Sequence, residues 1–292
     1  MAGWGLRRNY ECSMPDRWTG LQPGERPYAG TAWFYAEYRD RPSSSFAELL
    51  ARRLGWTGAD RILDLGSGPA QVSLQLAPFV GEVIAMDPEP DMLAEGRKRA
   101  AAARVGNVSF VVGGSEELAS LIPDLGIVKG ATISQALHWV HDQDELLRDL
   151  DRLLDPDHGA VALIGFVKDP DPNRVWLDRS PWNLVEPILQ RYLAGVPEGP
   201  HPRGRHDSFP DVLRRSAFAE LELLTHGYES VIEPSADAAI GYHYTLSNVL
   251  ARLGDRRPEF EAEARAALDG ADLSPIHIHL VDSALVAKRP LG

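Results

Sequence analysis

The sequence predicts an α/β fold in which helices cover a largely parallel sheet. Between residues 61 and 167, short apolar runs alternate with helical patterns, which is typical of a parallel sheet. The first run contains Ile62, Leu63 and Leu65, and a glycine-containing turn and a helical segment follow it. Because glycine permits a positive φ and a close approach of backbone to ligand, this turn predicts a nucleotide site.

The chain ahead of this strand has two predicted parts. Residues 1–30 are rich in Gly, Pro, Arg and Trp, and we expect an irregular arm there. Residues 31–55 predict a helix, because apolar residues recur on one face between Phe46 and Leu54. We therefore assign residues 1–45 to an N-terminal arm and the start of the first helix.

Four further strands are predicted in the central core, which we place at residues 46–167. Their sequences are Val83–Met86, Val108–Val112, Gly130–Ser134 and Val161–Val167. Because helical patterns separate them, we expect these strands to extend the sheet in parallel with the first one.

The pattern changes after the fifth predicted strand. Turn-forming residues are frequent in residues 168–208, which we interpret as an inserted lid. Residues 209–292 predict the C-terminal part of the core, with strands at Leu221–Tyr228 and, antiparallel, at Ile276–Val286. Two helical segments between these strands, within residues 234–270, are interpreted as further lid helices that enclose a substrate and exclude water.

The residues of the first turn distinguish between two classes of nucleotide ligand. The dinucleotide fingerprint requires a third glycine where this chain has Gln71, and Asp64 would lie close to an anionic pyrophosphate. S-adenosylmethionine (AdoMet) carries a sulfonium and an ammonium group and no phosphate, so a carboxylate attracts it. The turn therefore favours AdoMet over NAD.

Two segments resemble a known family. Asp64–Gly68 is similar to the first motif of class I AdoMet-dependent methyltransferases, and Gln135–Asp142 resembles a segment of their type-11-like small-molecule branch. The resemblance covers residues 28–166. It implies a Rossmann-like fold with a seven-stranded mixed sheet, to which this chain adds a helical lid. It also implies AdoMet as methyl donor and S-adenosyl-L-homocysteine as product.

The resemblance assigns roles to cofactor-binding residues. It implies that Asp87 holds the ribose hydroxyls, that Ser115 or Glu116 bonds the adenine amino group, and that Arg39 pairs with the AdoMet carboxylate. The full predicted set of cofactor-binding residues is Tyr35, Arg39, Asp64, Gly66, Ser67, Gly68, Asp87, Pro88, Met92, Gly114, Ser115, Glu116, Gln135 and Ala136.

Two histidines are the predicted catalytic bases. His138 and His141 follow the fourth strand, and their i, i+3 spacing on a helical turn would point them the same way. The alternatives are that His138 supports the cofactor pocket and that His141 is exposed at a helix start. Relatives commonly carry an acid at position 141, so the resemblance itself assigns that histidine no role.

The acceptor pocket is predicted to involve Trp139, Trp182, Tyr242 and His243. Ordinary core packing is the alternative for the Tyr242–Tyr244 segment. We expect no metal, because the histidines of the chain do not form a His-Glu-x-x-His motif.

Composition limits the remaining possibilities. A net charge of −12 over 292 residues disfavours a nucleic-acid partner. No long apolar span or signal core is evident, so we expect a cytoplasmic protein without a membrane partner. The single Cys12 excludes an internal disulfide framework. We expect a monomer or homodimer.

The predicted function is methyl transfer to N or O of a small polar acceptor. The resemblance favours a natural product, in antibiotic or other secondary metabolism, and an amine or hydroxyl of an aminoglycoside or sugar is the first choice. The alternatives are a carboxyl O-methyltransferase of a small acid, a methyltransferase-like cyclase, and a noncatalytic AdoMet-binding subunit.

Overall fold

A computed structural model describes residues 26–165, 181–199 and 208–290. Its centre is a seven-stranded sheet in the order β3-β2-β1-β4-β5-β7-β6. The strands are β1 Arg61–Leu65, β2 Glu82–Asp87, β3 Val108–Val112, β4 Gly130–Ser134, β5 Ala160–Ile164, β6 Glu220–Ile232 and β7 Ile276–Lys288. The first five are parallel and β7 is antiparallel to both β5 and β6. The predicted Rossmann-like class I methyltransferase fold with a seven-stranded mixed sheet is confirmed.

Helices connect the strands and cover the sheet. In the described residues they are α1 Ala32–Tyr38, α2 Ser44–Leu54, α3 Gln71–Leu76, α4 Pro90–Ala103, α5 Leu118–Leu125, α6 Gln143–Leu153, α7 Trp182–Leu193, α8 Phe209–Arg214, α9 Ala236–His243, α10 Val249–Leu253 and α11 Arg257–Leu268. Because parallel strands end at the same edge, the turns after β1, β2, β3 and β4 meet along one edge of the sheet. That edge positions the site.

The prediction of one helix over residues 31–55 is wrong. The structure has two helices, α1 and α2, separated by an extended segment around Arg39. Pro42 disfavours helical backbone at Arg41, and Ser43 starts the second helix by accepting a hydrogen bond from the Phe46 N–H. Ser43 also donates its backbone N–H and its hydroxyl to Asp282, which fixes the start of α2 against β7.

Strands β6 and β7 extend well beyond the rest of the sheet. They pair over their whole lengths, from Glu220 with Lys288 to Ile232 with Ile276, whereas β5 pairs only with the last part of β7. The predicted sixth strand is therefore longer than the sequence pattern indicated. The two strands project past the edge at which the parallel strands end, and the predicted lid helices follow at their tip.

The helices α7, α9, α10 and α11 pack together, and we call them the helical cluster. Its apolar core contains Trp182, Tyr242, Tyr244 and Phe260, and Phe34 of α1 packs against it. The first lid helix predicted from the sequence is divided into α9 and α10 by turns over residues 244–248, the last of which, Asn248, is left-handed with φ +63°. The cluster thus has its own core, separate from the two apolar cores on the faces of the sheet.

Several predictions fall on other parts of the chain. Residues 1–25 of the predicted arm, including Cys12, residues 166–167 of the predicted fifth strand, and residues 168–180 and 200–207 of the predicted lid insertion lie outside the described residues. The division of the chain into an arm, a core and a lid therefore stays a prediction. None of the described helices has the length and apolar content that crossing a membrane requires.

Candidate functional site

A cavity of about 240 Å³ lies at the edge where the parallel strands end, and we call it the edge cavity. Most of the predicted cofactor-binding residues line it. They are Tyr35, Gly66, Gly68, Asp87, Pro88, Met92, Gly114, Ser115, Glu116, Gln135 and Ala136. Trp139 and His141 line it as well. Residues from four separate loops and from α1 thus meet in one place, as the parallel topology requires.

The turn after β1 forms one wall of the edge cavity. Gly66 and Gly68 have φ values of +68° and +54°, and the N–H groups of Gly66 and Ser67 both donate to the Met86 carbonyl. A Cβ atom on Gly66 would lie 2.5 Å from the Cβ of Ala136 in the turn after β4. Position 66 therefore needs glycine for its conformation and for the close contact between the two turns.

Asp87 presents a fixed carboxylate to the cavity. Its Oδ2 accepts the Gly68 N–H at 2.8 Å and its Oδ1 accepts the Glu89 N–H at 2.9 Å. Burial raises the pKa of Asp87 to about 6; these two bonds oppose the rise, whereas the charges of Glu89 and Asp64 add to it. Because each oxygen uses one lone pair on the backbone, each retains a lone pair for a ligand hydroxyl.

Asp64 has a different environment from the one its position in the motif suggested. Its side chain is fully buried, accepts hydrogen bonds from the Ser73 and Thr132 hydroxyls at 2.6 and 2.8 Å, and is not among the residues that line the edge cavity. Burial raises its pKa to about 6, against the effect of these bonds. The structure therefore places Asp64 behind the glycine turn, where it joins β1 to α3 and β4.

Arg39 and Ser67 also lie outside the cavity lining. The Arg39 guanidinium lies 5.6 Å from the ring centroids of both Tyr35 and Tyr242, and it donates to the Thr245 hydroxyl at 3.3 Å. The Gln71 side chain donates to the Arg39 carbonyl, so the residue that replaces the third glycine holds the end of α1. Arg39 thus positions Tyr35, which does line the cavity.

The two predicted bases, His138 and His141, lie in different environments. His141 lines the edge cavity and is exposed, whereas His138 does not line it and packs its ring 5.3 Å from that of Trp139. The expected helical turn is only a 3₁₀ turn over Leu137–Trp139, and Val140 is extended. The i, i+3 relation between the histidines is therefore broken, and of the two only His141 lines the edge cavity.

The structure does not bring the predicted acceptor residues Trp182, Tyr242 and His243 to the edge cavity. All three are buried in the helical cluster. The His243 ring nitrogens face two acceptors, the Ala239 carbonyl at 2.7 Å and a Glu186 carboxylate oxygen at 3.1 Å. Both ring nitrogens thus contact groups of the protein, and neither faces the edge cavity.

Further residues that the sequence reasoning did not select as site residues also line the cavity, among them Pro27, Tyr28, Glu89 and Glu117. Tyr28 packs edge-on against Trp139 and Tyr35, with ring centroids 5.3 and 5.9 Å apart. Glu89 was detectable as the residue two positions after Asp87, and Glu117 as a member of the loop after β3. Nothing in the irregular arm distinguishes Tyr28 from its neighbours.

The charges around the cavity are of one sign. Asp87, Glu89, Glu116 and Glu117 line it, and no lysine or arginine does within the described parts of the chain. A separate surface group, Asp155, Asp157 and His158, has side-chain atoms close enough to hold a metal ion. It lies outside the edge cavity, and its Asp155 carboxylate already accepts the backbone N–H groups of Asp157 and His158.

Comparison with known proteins gives related methyltransferases. Residues 62–157 match the family model of a methyltransferase domain. The uncharacterized methyltransferase YcgJ of Bacillus subtilis (strain 168) is 26% identical over 176 residues, which are 58% of this chain and 68% of that protein. Trans-aconitate 2-methyltransferase of Mycobacterium sp. (strain KMS) is 32% identical over 153 residues, 51% of this chain and 54% of the relative.

A third relative matches a shorter region. The ubiquinone/menaquinone biosynthesis C-methyltransferase UbiE of Vibrio cholerae serotype O1 (strain ATCC 39541) is 38% identical over 112 residues, 37% of this chain and 42% of that protein. The matched region thus spans about half of the last two relatives or less. The sheet order, the glycine turn and these matches agree, and they identify residues 62–157 as a methyltransferase domain of the class I AdoMet-dependent type.

Proposed function

We propose that the chain binds AdoMet in the edge cavity and transfers its methyl group to a nitrogen or oxygen atom of a small polar acceptor. The observation that carries this proposal is the charge of the cavity. Four carboxylates line it and no cationic side chain of the described residues does, which favours a sulfonium and an ammonium group and disfavours a pyrophosphate. The product would be S-adenosyl-L-homocysteine.

The residues present fit this cofactor. Asp87 would accept the two ribose hydroxyls with its remaining lone pairs, and Ser115 or Glu116 would bond the adenine amino group. The glycines at 66 and 68 let the backbone approach the methionine part, which Tyr35 covers. When bound, AdoMet would supply an electrophilic methyl group, whose carbon bonds to the acceptor atom as its bond to sulfur breaks.

The chain itself would supply alignment, a dry pocket and a proton acceptor. Trp139 and Tyr28 form an aromatic wall next to His141 and limit the access of water. His141 takes the proton of a hydroxyl or ammonium acceptor, because an imidazole nitrogen can act as a general base and this one lines the cavity. His138 would act through Trp139, whose position it helps to set.

The acceptor class follows from the same charges. Acidic side chains at the cavity favour a neutral or cationic acceptor, so an amine or hydroxyl on a natural product such as an aminoglycoside or sugar remains the first choice. A small carboxylic acid is the second candidate, because one relative is named for trans-aconitate. Antibiotic or other secondary metabolism stays the proposed setting.

The cellular context is part of the proposal. We propose that the protein acts in the cytoplasm, as a monomer or homodimer, with no nucleic-acid or membrane partner. Its net charge of −12 supports the exclusion of nucleic acid, since an acidic surface repels phosphates. Light scattering of the purified protein would measure the oligomeric state.

Two measurements test the function. Calorimetric titration should show saturable binding of AdoMet and of S-adenosyl-L-homocysteine and no binding of NAD. A screen of radiolabelled AdoMet against metabolite pools, fractionated into amines, alcohols and acids, should then transfer label to a small molecule. AdoMet binding without any transfer of label would support the cyclase or noncatalytic alternatives, and binding of NAD alone would overturn the assignment of the cavity.

A further inference from the structure

An ion pair connects the N-terminal arm to the edge cavity. Arg26 donates from Nε to the Glu89 carboxylate at 2.7 Å, and its Nη2 donates to the same oxygen. The Arg26 side chain is half exposed, whereas that of Glu89 is buried and lines the cavity. Arg26 therefore reaches from the surface to a buried carboxylate.

Glu89 in turn holds Asp87. The Glu89 N–H donates to Asp87 Oδ1, while the Gly68 N–H donates to Oδ2, so the two bonds fix the plane of the Asp87 carboxylate. Glu89 also precedes α4, whose first residue is Pro90. A displacement of Glu89 would consequently change the orientation of the group that is proposed to hold the ribose.

The groups that face Asp87 are mainly acidic. The charges of Glu89 in the same loop and of Asp64 in β1 both raise its pKa, and Glu116 and Glu117 line the cavity from the loop after β3. Tyr28 of the arm also interacts with Asp87 and is itself kept neutral by burial, which raises its pKa. Arg26 is the cation that the described structure pairs with this acidic group.

We propose that Arg26 is a positioning residue for cofactor binding, which acts through Glu89 to orient Asp87 and keep it ionised at neutral pH. The inference rests on the proposed function, because it concerns the affinity for AdoMet. The compensation of the Glu89 charge reduces its repulsion of the Asp87 carboxylate. An ionised Asp87 accepts ribose hydroxyls on both oxygens, whereas a protonated one has lost an acceptor site.

The same contact fixes the segment that covers the cavity. The carbonyl of Pro27, the next residue, accepts the Asn248 N–H of the helical cluster at 2.7 Å, and Pro27 and Tyr28 both line the cavity. Loss of Arg26 would therefore weaken binding in two ways. One is the release of the arm, which does not depend on the protonation of Asp87, and the other is electrostatic and grows as the pH falls.

Calorimetric titration with AdoMet at about pH 6 and about pH 8.5 separates the two effects. If Arg26→Gln raises the pKa of Asp87 by about one unit, its loss of affinity relative to wild type should be about fivefold greater at the lower pH. The double variant Arg26→Gln with Glu89→Gln removes the repelling charge as well. It should show about the same relative loss at both pH values, and Arg26→Lys should retain the wild-type pH profile.

The matched control is Arg53→Gln. Arg53 makes an ion pair with Glu222, with Nε to Oε1 at 2.7 Å, and its side chain is about as exposed as that of Arg26. Glu222 is more exposed than Glu89, and neither Arg53 nor Glu222 lines the cavity. It should bind AdoMet like wild type at both pH values. A relative loss in Arg26→Gln that is the same at both pH values would overturn the inference alone. A wild-type protein that fails to bind AdoMet would overturn the proposed function and the inference together.

Discussion

The sheet edge and the helical cluster use similar side chains for different purposes. At the sheet edge, Asp87, Trp139 and His141 lie at or just after strand ends and line one cavity. In the helical cluster, Trp182, Tyr242 and His243 are buried. Aromatic and histidine content is thus a poor guide to function by itself. Position relative to the ends of parallel strands distinguishes the two regions.

The two histidines provide the largest contrast. His141→Gln should lower kcat by about 10²- to 10⁴-fold with little change in AdoMet affinity, because it removes the proposed base from the cavity. His243→Gln should leave kcat within about threefold of wild type, because both of its ring nitrogens bond protein acceptors. The measurement is steady-state kinetics with the acceptor that the screen identifies. A larger loss of kcat in His243→Gln than in His141→Gln would indicate that the acceptor binds in the helical cluster.

Substitution by alanine should destabilise the protein more at Gly66, in the glycine turn, than at Gly55, which has a similar positive φ. Gly66→Ala should reduce the free energy of unfolding by about 2–4 kcal/mol, since it adds left-handed strain to a clash with Ala136. Gly55, at the end of α2, has a φ of +66° and no atom near its missing Cβ. Gly55→Ala should therefore cost only the strain, about 1–2 kcal/mol. Urea unfolding measures both, and equal losses would show that the contact between the turns is loose.

A substitution of Asp64 shows whether this acid of the first motif contributes to cofactor binding or to the stability of the fold. Because its pKa is raised to about 6, the folded state retains a proton that the unfolded state has lost, and stability falls as the pH rises through this window. Asp64→Asn removes this cost and should gain about 2 kcal/mol relative to wild type between about pH 4 and about pH 8. AdoMet affinity should change by less than about threefold. A much larger loss of affinity would show that Asp64 does contribute to AdoMet binding.

The sequence predicted the sheet edge well for a physical reason. Strand ends and glycine turns have local signals, and the parallel topology then brings Gly66, Asp87 and the loop after β3 together without further information. Asp64 differs because a strand residue alternates between faces, and the motif does not state which hydroxyls, here those of Ser73 and Thr132, take up its charge.

The helical cluster had no comparable signal. Amphipathic patterns identified its helices but not the partner of each face, so the aromatic residues near position 242 fitted an acceptor wall and a core equally well. The ion pair between Arg26 and Glu89 also could not be predicted from the sequence, because 62 residues separate the two partners. The break between α1 and α2 was detectable from Pro42.

The central claim is that the sheet edge, and not the helical cluster, holds the cofactor. Calorimetric titration of Asp87→Ala with AdoMet tests it most directly, with Asp237→Ala, an exposed aspartate in the first turn of α9, as the matched control. Asp87→Ala should lose about 1.5–3 kcal/mol of binding free energy, the range for hydrogen bonds to a charged group, and Asp237→Ala should bind like wild type. Wild-type affinity in Asp87→Ala would contradict the account.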